Sequence, residues 1–219
     1  MPASDYALSD LLMFTPEVYL RLFIRFNEAA WPLQLLALAA GLAIPVLLTQ
    51  RFPLARRLAM MLLALAWVAT GLGFMGNFYA PINWPVYWFG FAFVAQAMLV
   101  GAVAGFFYLP DRISLTGGRG SWLIGLWMLG LLGLPWLTVA ATGELAALAL
   151  FGMTPDVTAA VSIAALILVP RRIRWLLLVI PLMWCAFSAV TLYALGTPGP
   201  MLVPLAGLVL GFVAVFLRD

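Results

Sequence analysis

Eleven positive charges, all of them arginine, divide the 219-residue chain. Nine of the eleven fall in short gaps between long apolar runs, at 51–57, 111–119, 171–174 and position 218. The intervening gaps, at 79–85, 142–156 and 196–200, carry none. Cytoplasmic loops of multi-pass membrane proteins retain Lys and Arg, so this alternation predicts a polytopic membrane helix bundle with its arginine gaps inside. About seven transmembrane helices, with the N-terminus outside and the C-terminus inside, satisfy every gap.

A span needs about 20 apolar residues to cross about 30 Å of hydrocarbon. With 66% of residues apolar, the chain has enough for seven spans and little left for anything else, which predicts one all-α integral domain over 1–219. The expected spans are 30–49, 58–78, 86–109, 121–141, 156–169, 175–195 and 201–217. The fifth is short. It must begin further out, pair with 144–152 as a broken element, or stop part-way.

Residues 1–14 read as an extramembrane start, acidic and free of positive charge. Residues 15–28 then form an amphipathic pattern. Glu17, Arg21, Arg25 and Glu28 share one helical face, and Val18, Tyr19, Leu22, Phe23 and Phe26 share the other. This predicts a helix in the outer interface, with Thr15 as N-cap, Pro16 at the first helical position and Glu17 against the positive end of the dipole. Trp31-Pro32 marks the turn into the bilayer. Thr154-Pro155-Asp156 repeats the start signal, and Asp156 reads as a helix-terminus acid.

A shift of 117 positions matches Pro53 with Pro170, Arg57 with Arg174, Trp67 with Trp184, Pro81 with Pro198 and Gly90 with Gly207. The matches suggest a three-plus-one-plus-three layout of parallel repeats.

Absences narrow the chemistry. Without histidine or lysine there is no Ser-His dyad, no bis-imidazole haem and no retinal Schiff base. No carboxylate falls near the middle of an expected span, which argues against a midplane proton relay. The expectation is a protein that is not an enzyme, with no cofactor and no metal. Thr116-Gly117-Gly118-Arg119-Gly120 lacks the spacing and lysine of a phosphate loop and reads as a turn. The net charge of +3 follows from arginine sorting and implies no nucleic-acid partner. Anionic lipids are the expected partners of the inner arginines, beside the bilayer itself and a homo-oligomer or membrane-protein partner. The single cysteine, Cys185, reads as buried filler.

The remaining candidate site is a polar and aromatic cluster at the outer span ends. Asn27, Glu28, Trp31 and Gln34 stand at the start of the first span, and Asn77, Tyr79, Asn83 and Trp84 join the second to the third. The amides offer donors and acceptors, the rings flat walls, and Glu28 a partner for a cation. Gln96, inside the third span, is costly to leave unpaired and should face another helix or a cavity.

The segments Phe14-Thr15-Pro16-Glu17, Tyr19-Leu20-Arg21-Leu22-Phe23, Phe26-Asn27-Glu28-Ala29-Ala30-Trp31-Pro32-Leu33-Gln34, Tyr79-Ala80-Pro81-Ile82-Asn83-Trp84, Phe151-Gly152-Met153-Thr154-Pro155-Asp156 and Pro181-Leu182-Met183-Trp184 resemble a family of uncharacterised bacterial multi-pass membrane proteins. That family is a domain-of-unknown-function group whose members are often labelled permeases. The resemblance runs end to end and implies location in the bacterial inner membrane but no defined activity. The layout also looks like the PQ-loop type of small transporter. Pro32-Leu33-Gln34 is not that class's adjacent Pro-Gln pair, and Ala149-Leu150-Phe151 has nothing like it, so no residue is carried over.

Two functions follow as expectations. One is a small-solute permease with an outer-face site; the other is a non-transporting accessory subunit or sensor module docking a partner through the helix at 15–28.

Overall fold

The computed structural model describes residues 12–106 and 118–217, apart from the side chain of Arg119. The described residues form nine α-helices with no strand: α1 (Pro16–Ala29), α2 (Leu33–Leu48), α3 (Pro53–Val68), α4 (Pro85–Phe106), α5 (Gly118–Leu132), α6 (Trp136–Thr142), α7 (Pro155–Leu166), α8 (Arg171–Ala194) and α9 (Pro198–Phe216). A π-helical segment, Ala69–Tyr79, continues α3. The expected features at 1–11 and 107–117, Arg112 and the Thr116-Gly117 turn among them, lie outside the described residues, as do Arg218 and the chain end.

Five described helical stretches are long and apolar enough to cross a membrane: Pro53–Tyr79, Pro85–Phe106, Gly120–Thr142, Arg171–Ala194 and Pro198–Phe216. A sixth is counted if α1 and α2, bent by 96° at their junction, act as one span. The bend falls at Trp31-Pro32, as the sequence suggested. The remaining expected span is α7, whose 12 residues reach only about 18 Å. The irregular segment 143–154, holding a short 3-10 turn at Leu145–Ala147, leads into it.

Every residue of α7 is buried, and α3, α5, α8, α9 and the π segment pack against it. A helix apolar all round belongs in the middle of a bundle; here its exceptions, Asp156, Thr158 and Ser162, are matched by neighbours. Trp67 Nε1 donates to Ser162 Oγ at 3.0 Å, and the Thr70 and Thr158 hydroxyls lie 3.2 Å apart.

Two internal prolines explain two more contacts. A proline lacks the N–H that would bond the carbonyl four residues earlier. Pro45 in α2 thus frees the carbonyl of Gly41, which accepts from Trp127 Nε1 of α5 at 2.9 Å. Pro181 in α8 frees that of Leu177, which accepts from Gln96 Nε2 of α4 at 2.8 Å. Inside an apolar medium such a carbonyl must find a partner, and each of these draws it from another helix. Close helix contact elsewhere needs glycine: a Cβ on Gly71 would lie 2.9 Å from the carbonyl oxygen of Gly90 in α4.

Helix α1 begins as the sequence indicates, with the Thr15 hydroxyl accepting from Val18 N–H at 3.4 Å. Hydrogen bonds from the Thr15 hydroxyl and from Glu17's own backbone N–H hold the Glu17 carboxyl below its usual range. Its apolar face covers the bundle. Phe23 and Phe26 pack on Phe74 at ring-centroid distances of 5.2 and 5.4 Å, and Tyr19 packs on Tyr79 at 5.4 Å.

At the arginine end, Arg174 is buried and donates to the carbonyls of Val169, Ala214 and Leu217 at 3.0–3.1 Å. Arg56, also buried, donates to those of Gln50 and Arg51. These two arginines tie helix ends together, whereas Arg51, Arg57, Arg171 and Arg172 are exposed. Arg57 and Arg174, paired by the 117-residue shift, thus occupy unlike surroundings.

Candidate functional site

Asp156 is the centre of the enclosed polar structure. It sits at the second position of α7, after Thr154 and Pro155, where α7's unpaired N–H groups favour negative charge. Trp184 Nε1 of α8 donates to its Oδ1 at 2.8 Å, and the Tyr19 hydroxyl of α1 lies 3.4 Å from Oδ2. Ser188, one turn beyond Trp184 on the same face of α8, is also buried. No guanidinium among the described residues reaches it.

The approach to Asp156 is fixed by the turn before α7. Gly152 adopts φ 75°, a left-handed conformation open to glycine at little cost. Its N–H donates to the Thr158 hydroxyl at 2.8 Å, and a Cβ there would meet that of Ala66 at 3.3 Å. Turn, α7 and α3 are therefore locked together just before the carboxylate.

The expected outer cluster divides into three groups. Tyr79 and Asn83 border the Asp156 centre: Asn83 Nδ2 donates to the Tyr79 hydroxyl at 3.3 Å, and the Tyr79 ring packs edge-on to both Tyr19 and Trp184. Asn27 and Gln34 form a second group, a corner brace. Asn27 Nδ2 donates to the carbonyls of Ala146 and Leu148 at 2.7 and 2.9 Å, and Gln34 Nε2 to the carbonyl of Asn27. Glu28, Trp31, Asn77 and Trp84 are exposed. Asn77 bonds only its own helix, at the Leu72 carbonyl.

Gln96, the interior candidate, has no exposed surface and caps the proline gap in α8. It does face another helix. The cluster's residues therefore do not converge on one solvent-filled site.

The sequence placed Asp156, with Glu144, on the same outer side as the cluster and Ser188 inside the bilayer, but did not join either to Tyr19 and Trp184. A signal was present, since four of the six segments carrying the family resemblance contain Tyr19, Tyr79 with Asn83, Asp156 and Trp184, and these meet in space. Chemically, the centre is one carboxyl group with an indole and a phenol donor, able to hold a negative charge or a proton. Among the described residues no three His, Cys, Asp or Glu side chains gather to bind a metal.

The all-helical architecture of the described residues and their five apolar helices long enough to cross a membrane fit an integral membrane protein. The chain belongs to the family of unknown function DUF6064, whose model matches residues 16–219. No curated protein and no solved structure matches it.

Proposed function

We propose that this protein is a non-transporting membrane module, an accessory subunit or sensor, rather than a solute carrier. One observation carries the reading: four interior side-chain donors are each committed to a neighbouring helix, two to carbonyls left open by proline and two to side chains of α7, while the Gln96 Oε1 oxygen is left without a partner. Gln96 donates to Leu177, Trp127 to Gly41, Trp67 to Ser162 and Trp184 to Asp156. A carrier lines its path with groups that are free to exchange partners with solute.

Proteoliposome uptake over a panel of sugars, amino acids and small ions tests this. Rates equal to those of empty vesicles are expected, and any solute moving faster through wild type than through Asp156→Asn overturns the proposal. That outcome would support the second reading, a permease, which one feature favours. Along α8, Trp184 stands about 15 Å from Arg174 at 1.5 Å per residue. If the arginine row marks the boundary of a core about 30 Å thick, Asp156 lies near mid-depth, at the start of a helix preceded by irregular backbone.

Both readings keep the bacterial inner membrane as location, the N-terminus outside and the C-terminus inside. On that topology, Arg57→Cys reacts with an impermeant thiol reagent only after the membrane is opened. The exposed Arg51, Arg57, Arg171 and Arg172 are the arginines suited to anionic lipid. Arg56 and Arg174 serve the bundle. The Trp67 and Trp184 indoles, matched by the internal echo, both donate to α7, which supports a duplicated arrangement about that helix.

A further inference from the structure

We draw no further inference here: the strongest candidate, the face of the membrane-length helix α4 on which Gly101 and Gly105 stand one turn apart with nothing within 4 Å of either Cβ position, is a stripe of small residues, and nothing in the structure shows what covers it.

Discussion

The centre around Asp156 and the ring of Glu28, Trp31, Asn77 and Trp84 have similar chemistry, carboxylate, amide and indole, yet opposite surroundings. The first is enclosed, with each described donor aimed at a neighbouring helix; the second is exposed and bonded, where bonded at all, to its own helix. Enclosure rather than residue type separates groups that hold a membrane bundle together from groups that merely face its surface. In a dry interior each unpaired donor costs about 1–3 kcal/mol, whereas an exposed one finds water or headgroups.

The largest expected effect breaks the centre itself. Asp156→Ala leaves the Trp184 and Tyr19 donors facing nothing and should destabilise the protein by about 3–5 kcal/mol. Glu28→Gln and Trp84→Ala should stay within about 0.5 kcal/mol. Unfolding in detergent, followed by near-ultraviolet circular dichroism, measures both; equal losses would erase the contrast.

Next in size is the turn before α7. Gly152→Ala forces a Cβ into a left-handed conformation and against Ala66, at a cost of about 1–2 kcal/mol. Gly143, also at positive φ but with nothing near its Cβ, should show less loss when replaced by alanine in the same measurement.

A smaller effect sharpens the role of Gln96. Gln96→Leu leaves the Leu177 carbonyl open, and Pro181→Ala restores the N–H that closes it. The double variant should recover about 1 kcal/mol relative to the sum of the single losses. Strict additivity would show that Gln96 does something other than cap the proline gap.

Much of this fold was legible in the sequence. The helix positions follow from apolar run lengths, and the Thr15-Pro16-Glu17 cap and the Trp31-Pro32 turn fall where expected, because capping and proline geometry are local. The burial of α7 was not legible. A run such as Pro155 to Leu166 has the same composition whether lipid or protein surrounds it, and only the neighbours supplied by α3, α5, α8 and α9 decide. For the same reason Asp156 read as a helix-terminus acid: it is one, but it faces inward. The α1 pattern gave the buried side almost completely, with Tyr19, Leu22, Phe23 and Phe26 enclosed and Val18 left outside.

The claim on which the account rests is that the polar interior is closed to water. It is tested most directly by single cysteines placed in a Cys185→Ala background and exposed to a charged, water-borne thiosulfonate in native membranes. Glu28→Cys should react readily, while Gln96→Cys and Ser188→Cys should stay unmodified until the protein is unfolded. Rapid modification of the cysteine at position 96 or 188 in the folded protein would reveal a water path through the bundle and contradict the account.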